Sequence, residues 1–260
     1  MQAVILAGGK GTRLVEETRF QPKPMVKIGD KPILWHIMKR YSLYGTKQFI
    51  ICCGYKGHMI KEYFLNYHHE HSGMEVQLMT DEACSRGSKA EDWDVTLANT
   101  GLNTLTAGRV LRIEKYVEGE EFFLTYGDGV GDIDLDALAD CHRKSGKALT
   151  ITVTKPAGRF GAVRLDRATG TVYGFKEKAR ADQSYVNAGF MICSRRVFQF
   201  LGDGSEMLEA GPFNRLVAAR EINAYVHKGF WSPMDNTKDH EYLESCMEQG
   251  RAVWLRKESR

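Results

Sequence analysis

The 260-residue sequence lacks long apolar runs, contains little proline and carries little net charge. Its first apolar stretch, residues 3–7, stops at Gly8, and no later run approaches the length that spans a membrane. The 6 prolines are too few for a proline-rich disordered linker. With 36 Lys and Arg against 33 Asp and Glu, the formal charge is +3, which supplies neither a nucleic-acid-binding tail nor a polybasic membrane anchor. These absences exclude an integral membrane protein, collagen and a disordered chain, and we expect no nucleic-acid or membrane partner.

The 6 cysteines form no Cys-x-x-Cys pair. Cys52 and Cys53 are adjacent within an apolar segment, so in a strand they would point to opposite faces. This usage is typical of buried free thiols in a reducing compartment, and it predicts a cytoplasmic protein.

What the sequence does contain is enough apolar material for a core, since 43% of its residues are hydrophobic and 10% are aromatic. Short apolar runs alternate with segments of helical spacing, a pattern typical of a doubly wound, mostly parallel sheet with a Rossmann-like α/β architecture. We expect one domain, 1–260, whose first half (1–147) mainly binds a nucleotide. The predicted elements of this half are strands at 4–6, 49–53, 76–79 and 122–124, helices at 32–44, 60–67, 110–117 and 135–144, and a long loop at 81–94.

From residue 148 onward the pattern changes to alternating strands separated by turns. Strands are predicted at 150–153, 162–165, 172–175 and 189–193, and helices at 208–219 and 238–247. This part is predicted to add an antiparallel β layer to the sheet, and we expect the half 148–260 mainly to bind a sugar phosphate.

The strand at the amino end runs into Gly8, Gly9 and Gly11, which surround Lys10 and are followed by Thr12 and Arg13. Glycines expose backbone N–H groups that bind phosphate oxygens, and an arginine supplies a fixed cation. The spacing lacks the Gly-Lys-Ser/Thr end of a P-loop, and Leu14 stands where a Rossmann fingerprint needs a third glycine. The segment is therefore predicted to be another kind of phosphate loop; the alternative is an ordinary turn.

Three further charged residues stand at positions that favour phosphate chemistry. Lys23 lies between Pro22 and Pro24, which hold the backbone extended and present the ammonium to a phosphate. Asp128 follows a buried strand and Asp235 follows a turn, so the pair could hold one Mg²⁺. A surface lysine and two turn or cap aspartates are the alternatives.

The stretch L-A-G-G-K-G-T-R-L, together with P-K-P-M, resembles the signature of sugar-1-phosphate nucleotidylyltransferases. Five further segments narrow the similarity to the glucose-1-phosphate cytidylyltransferases: 31–38, 49–57, 125–130, 158–162 and 229–235. The resemblance runs from residue 1 to about residue 251.

The resemblance implies a role for each matching position. The nucleotide-binding residues would be Leu6, Ala7, Gly8, Gly9, Lys10, Gly11, Thr12, Arg13, Lys23, Thr104, Arg109 and Asp128. The sugar-phosphate-binding residues would be Gly161, Glu177, Lys178 and Asn187. Arg13, Lys23, Asp128 and Asp235 would be catalytic, with the two aspartates as Mg²⁺ ligands. The family also implies a homo-oligomer, either a trimer or a hexamer.

The implied reaction is transfer of a cytidylyl group from CTP to α-D-glucose 1-phosphate, giving CDP-glucose and pyrophosphate. In-line attack needs no covalent enzyme intermediate, so positioning and screening of two anions by cations would carry catalysis. The alternatives are UTP or dTTP as donor, another hexose 1-phosphate as acceptor, or an inactive regulatory subunit that binds nucleotide sugars.

Departures from the family pattern are concentrated on the sugar side. The family commonly has Pro, Gly, Thr and Arg at four positions that are occupied here by Ala179, Ala188, Asn236 and Lys238, respectively.

Three other polar groups are set aside as structural. The histidines of segment 68–71 are expected in a solvated loop, His36 in a helix core or a capping bond, and Asp30 in a turn.

Overall fold

The computed structural model describes residues 1–11, 14, 18–67, 73–77, 82–86, 91–155, 162–166, 169–176 and 185–257. The strands in chain order are β1 (Ala3–Ala7), β2 (Lys27–Ile28), β3 (Lys31–Pro32), β4 (Gln48–Cys53), β5 (Gly73–Gln77), β6 (Glu82–Arg86), β7 (Asp94–Asn99), β8 (Glu121–Tyr126), β9 (Gly129–Gly131), β10 (Leu149–Thr154), β11 (Ala162–Leu165), β12 (Val172–Lys176), β13 (Val186–Ser194), β14 (Ile222–Val226) and β15 (Trp231–Pro233). The α-helices are α1 (Ile33–Ser42), α2 (Gly57–Leu65), α3 (Thr106–Arg112), α4 (Leu135–Ser145), α5 (Pro212–Ala218) and α6 (Thr237–Glu248). No helix in these ranges is long and apolar enough to cross a membrane.

A central seven-stranded sheet organises the molecule, in the order β14-β10-β13-β8-β1-β4-β7. Strands β8, β1, β4 and β7 run parallel to one another, and β10 is parallel to β14. Strand β13 is antiparallel to both of its neighbours, β8 and β10. The predicted α/β class with a mostly parallel sheet is therefore confirmed.

The core consists of two apolar layers, one on each face of this sheet. Along β1, Ile5 packs in one layer and Leu6 in the other, because successive side chains of a strand point to opposite faces. Cys52 and Cys53 divide between the two layers in the same way, as predicted, and both thiols are free. Helices α1, α4 and α6 cover the first face, and α3 and α5 cover the second.

Helix ends follow their local signals. Gly45, three residues after α1, has φ 84°, and Gly146, which directly follows α4, has φ 61°; both are left-handed values that glycine adopts without strain. The side chain of Asp134 caps the amino end of α4 by accepting from the N–H of Ala137. Both helices lie close to their predicted bounds.

The order of elements between α2 and α3 differs from the prediction. The segment predicted as a third sheet strand, 76–79, overlaps the end of β5, and its residues 78–79 lie outside the described residues. Strand β5 pairs antiparallel with β6 in a separate two-stranded sheet, and β6 lies inside the segment 81–94 that was predicted as a loop. The third strand of the parallel set is β7, which pairs with β4. Strand β7 lies at the sheet edge, and its partly exposed side chains lack the continuous apolar run of a fully buried strand.

The second half contributes to the sheet as well as to a separate hairpin. Strands β10 and β13, predicted within an added layer, complete the central sheet, and β14, which was not predicted, extends it. The hairpin β11–β12 is a separate antiparallel pair, in agreement with the predicted antiparallel addition. Helix α5 is shorter than the predicted 208–219, and α6 matches 238–247 within a residue at each end.

Candidate active site

A cavity of about 640 Å³ opens at the edge of the sheet where the parallel strands β1 and β8 end. Ligands of α/β sheets bind at this edge because loops, not strands, follow there. Among the described residues, every predicted site residue lines the cavity: Leu6, Ala7, Gly8, Gly9, Lys10, Gly11, Lys23, Thr104, Arg109, Asp128, Asn187 and Asp235. Thr12, Arg13, Gly161, Glu177, Lys178 and Ala179 lie outside the described residues.

The glycine segment after β1 is held against a buried arginine. A Cβ on Gly8 would lie 2.1 Å from Nη1 of Arg109, and one on Gly54 would lie 2.5 Å from the same atom. Gly11 has φ 64°, a left-handed value that a residue with a side chain adopts only under strain. Glycine at these positions therefore lets the loop, the neighbouring strand end and a guanidinium pack together.

Arg109 is 4% exposed and donates its hydrogen bonds to the protein itself. Its Nη2 lies 2.9 Å from the carbonyl oxygen of Gly8, and its Nη1 lies 2.7 Å from Oγ1 of Thr100 and 2.9 Å from the carbonyl oxygen of Gly101. Burial lowers the pKa of Arg109 from its usual value. The guanidinium thus ties the glycine loop to the segment after β7 and places a positive charge beside the cavity.

Lys23, Asp128 and Asp235 converge on one point of the cavity. The Nζ of Lys23 lies 2.8 Å from Oδ2 of Asp128 and 2.7 Å from Oδ1 of Asp235. The side chains are 8%, 34% and 15% exposed, respectively. Burial alone would lower the pKa of Lys23, but the two carboxylates outweigh it and raise that pKa above its ordinary value. The lysine is therefore a charged ammonium held between two carboxylates.

A short antiparallel ribbon brings the two aspartates together. Strands β9 and β15 pair, with Gly129 opposite Pro233, so that Asp128 and Asp235 flank the same end of the ribbon. The N–H of Met234 donates to the carbonyl oxygen of Asp128 at 2.8 Å. Residues 107 positions apart in the chain thus present their carboxylates to the same ammonium.

The carboxylate pair has the chemistry of a divalent-cation site. Oxygen ligands suit hard cations such as Mg²⁺, which keeps several waters and binds through one or two carboxylates and substrate phosphates. Within the described ranges no group of three or more His, Cys, Asp or Glu residues could hold a metal ion by itself. Asp128 and Asp235 therefore fit a cation whose remaining ligands come from a phosphate and water.

The lining of the cavity was only partly predicted from the sequence. Asn187 lines the cavity as expected, and its Oδ1 accepts from the N–H of Gly189 at 2.9 Å. Among the additional lining residues are Tyr126 and Glu209, whose side chains are hydrogen-bonded to each other. Burial and the neighbouring Glu209 raise the pKa of Tyr126 well above its usual value. Glu209 is 83 positions from Tyr126, and no spacing in the sequence indicates the contact.

The residues set aside as structural behave accordingly where they are described. His36 is 1% exposed, its Nε2 lies 2.8 Å from the carbonyl oxygen of Ile28, and its Nδ1 accepts from Trp254. Asp30 lies in a turn. The segment 68–71 lies outside the described residues.

Comparison with known proteins extends the similarity over the whole chain. A family model described as Nucleotidyl transferase matches residues 2–239. The chain is 48% identical to the glucose-1-phosphate cytidylyltransferase of Salmonella typhimurium, over 98% of each chain. It is 42% identical to a probable glucose-1-phosphate cytidylyltransferase of Bacillus subtilis, over 98% of this chain and 99% of that one. The crystal structure of HddC from Yersinia pseudotuberculosis has the same fold, with a TM-score of 0.73 at 21% identity, over 95% of this chain and 99% of that chain.

Proposed function

Because the chain belongs to the nucleotidyl transferase family, we propose that it transfers the cytidylyl group of CTP to α-D-glucose 1-phosphate. The products are CDP-glucose and pyrophosphate. The observation that carries the proposal is the convergence of the glycine loop, Lys23, Asp128 and Asp235 on one cavity. The near full-length similarity to proteins of that activity supports the choice of CTP and glucose 1-phosphate.

The phosphates of CTP bind at the glycine loop. Gly8, Gly9 and Gly11 expose backbone N–H groups beside the cavity, and glycine lets an anion approach them closely. Arg109 holds the loop from the protein side by donating to the carbonyl oxygen of Gly8. Thr104 lies in the same wall and, with Arg109, borders the nucleobase, while Thr12 and Arg13 complete the phosphate contacts in this proposal.

The reaction is an in-line displacement at the α-phosphorus of CTP. A phosphate oxygen of the sugar phosphate attacks, and pyrophosphate leaves on the opposite side. Both reactants are anions, so the chief task of the protein is to hold them together against their repulsion. Lys23 supplies a buried cation that donates to the oxygen on which charge increases in the transition state.

The family generally uses a divalent metal ion, and we assign it as Mg²⁺ held by Asp128 and Asp235. When bound, this ion supplies charge neutralisation of the phosphates. The carboxylates that would hold it, Asp128 and Asp235, are the same two that Lys23 contacts, so a bound cation would compete with the Lys23 ammonium for them and would leave it available to donate to a phosphate oxygen.

The sugar phosphate is assigned to the other side of the cavity, with 1–147 as the mainly nucleotide-binding half and 148–260 as the mainly sugar-binding half. Asn187 lies in this wall with Ala188 and Gly189. Gly161, Glu177 and Lys178 are proposed as further contacts, with Lys178 as a second cation. The protein is proposed to act in the cytoplasm as a homo-oligomer, a trimer or a hexamer.

A panel of nucleotides and sugar phosphates tests the proposed reaction. Purified protein is incubated with CTP, UTP or dTTP and with glucose 1-phosphate or another hexose 1-phosphate, and pyrophosphate release is measured. We expect CTP with glucose 1-phosphate to give the highest kcat/KM. Equal turnover with UTP would refute the cytidine assignment, and no turnover with any pair would favour the inactive regulatory subunit.

A further inference from the structure

We infer that Asn236 and Asp239 are positioning residues that hold Asp235 in place for binding the divalent cation. The inference rests on the proposed function, because it needs Asp235 to be a metal ligand. Asp235 lies two residues before helix α6, and Asn236 is the N-cap of that helix. Asp235 therefore directly precedes the N-cap, and contacts that fix the N-cap also fix the backbone from which the Asp235 side chain projects.

A single carboxylate oxygen gathers three donors at this point. Oδ2 of Asp239 accepts from the N–H of Asp235 at 3.0 Å, from the N–H of Asn236 at 3.2 Å and from Nδ2 of Asn236 at 2.8 Å. In return, Oδ1 of Asn236 accepts from the N–H of Asp239 at 3.1 Å. This reciprocal capping box satisfies N–H groups that a helix start leaves without partners.

The capping box acts on the backbone of Asp235 and leaves its carboxylate to the cavity. Asp239 does not line the cavity, whereas Asp235 lines it and contacts Lys23. The preceding residue, Met234, donates its N–H to the carbonyl oxygen of Asp128. The segment 234–236 is thus fixed on one side to the other proposed metal ligand and on the other side to the helix, so loosening the cap changes the distance between the two carboxylates.

This geometry gives the residue at position 236 a role in capping helix α6. Asn236 stands where the family commonly has Thr, and the sequence placed that departure on the sugar side. Asn and Thr are both favourable N-cap residues, since each offers a side-chain oxygen to the N–H groups of the first turn. The departure therefore keeps the cap, and we expect the exchange of Asn for Thr to preserve metal binding.

The test compares Asn236→Ala and Asn236→Thr with the wild-type protein. Binding of Mn²⁺ in the presence of the non-reacting analogue α,β-methylene CTP is measured by electron paramagnetic resonance, with kcat and the Tm as further readouts. We expect Asn236→Ala to weaken Mn²⁺ binding and kcat by about tenfold, the lower end for residues that orient metal ligands. Asn236→Thr should bind Mn²⁺ within about twofold of the wild type, because a threonine oxygen replaces the cap.

Asp134→Ala is the matched control, because Asp134 caps helix α4 and does not line the cavity. It should lower the Tm as Asn236→Ala does, yet leave Mn²⁺ binding unchanged. Should Asn236→Ala not fold, Asn236→Gly replaces it, since glycine is tolerated at an N-cap but lacks the side-chain bonds to Asp239.

Wild-type Mn²⁺ affinity in Asn236→Ala, or a loss that Asn236→Thr does not restore, would overturn the inference. Its failure is distinct from failure of the proposed function. The latter would appear as a wild-type protein that binds Mn²⁺ and the analogue but turns over no substrate pair.

Discussion

Replacement of Lys23 by methionine separates the electrostatic role of this lysine from its packing role. Methionine is of similar length and removes the charge, so Asp128 and Asp235 lose the ammonium that both contact. We expect turnover to fall by about 10² to 10³, the usual loss when a donor to developing charge is removed. The more informative expectation concerns stability and its dependence on divalent cations.

The structure sets the size of the stability effect. Loss of one partner from a buried ion pair costs about 3–5 kcal/mol, and the lower end applies because the side chain of Asp128 is 34% exposed. A loss of about 3 kcal/mol corresponds to a decrease in Tm of roughly 6–12 °C for a chain of this size. Mg²⁺ at about 100 times its Kd would raise the free energy of unfolding of Lys23→Met by about 2.7 kcal/mol, because it binds the folded state. The wild-type protein should respond much less to Mg²⁺, because the ammonium of Lys23 already lies between the two carboxylates and the cation has to displace it.

The assay is thermal unfolding without nucleotide, in a MgCl₂ series at constant ionic strength. Lys39→Met is the matched control, since Lys39 is paired with Glu91 at 2.8 Å and lies outside the cavity. We expect a strong Mg²⁺-dependent rise in Tm for Lys23→Met and little change for the control. An equal response of wild type, control and variant would refute the argument that Lys23 and the cation compete for the same carboxylates.

Two further predictions concern buried groups. Arg109→Lys should raise the KM for CTP by about tenfold and lower the free energy of unfolding, measured in urea, by about 2 kcal/mol. The reason is that one ammonium cannot replace the guanidinium donors to Gly8, Thr100 and Gly101. An unchanged KM would contradict a role of Arg109 in holding the glycine loop. Burial raises the pKa of the Cys53 thiol from 9.0 to about 11, so the folded protein should alkylate at Cys53 far more slowly at pH 8 than protein in guanidinium, as followed by mass spectrometry. The raised pKa of Cys53 also stabilises the folded state fully below pH 9, and this contribution is lost as the pH rises toward 11. A urea midpoint that stays constant between pH 9 and 11 would contradict this contribution, and equal alkylation rates in the folded and unfolded protein would contradict the raised pKa.

Local signals predicted the parts of the fold that depend on nearby residues. The strand before Gly8, the helix after Pro32 and the helix that ends before Gly146 all lie close to their predicted bounds. Each depends on apolar periodicity and on a proline or glycine at the boundary, which act over a few residues. The resemblance carried by the glycine loop and the lysine that follows it is confirmed by the full-length family similarity.

Strand pairing, in contrast, depends on partners distant in the chain. The apolar residues near 76–79 indicated a strand, and a strand is present in β5, but it pairs with β6 and not with the central sheet. The position beside β4 is taken by β7, whose mixed polar and apolar side chains suit a sheet edge. A local sequence pattern indicates that a segment will form a strand. Which strand it pairs with depends on the packing of the whole protein.

The chemistry of this protein was determined largely by the identity of its residues. Backbone amides exposed by glycines, an ammonium beside prolines and a carboxylate after a buried strand are local properties, so the sequence alone predicted their types and positions. Only the tertiary structure decided that Lys23 lies between carboxylates 105 and 212 positions away, that Arg109 supports the glycine loop, and that Asp239 holds the backbone of Asp235. These contacts join a turn, two helices and a short ribbon that the folded chain packs around one end of the central sheet, so the separation of the residues along the chain does not indicate their distance in space.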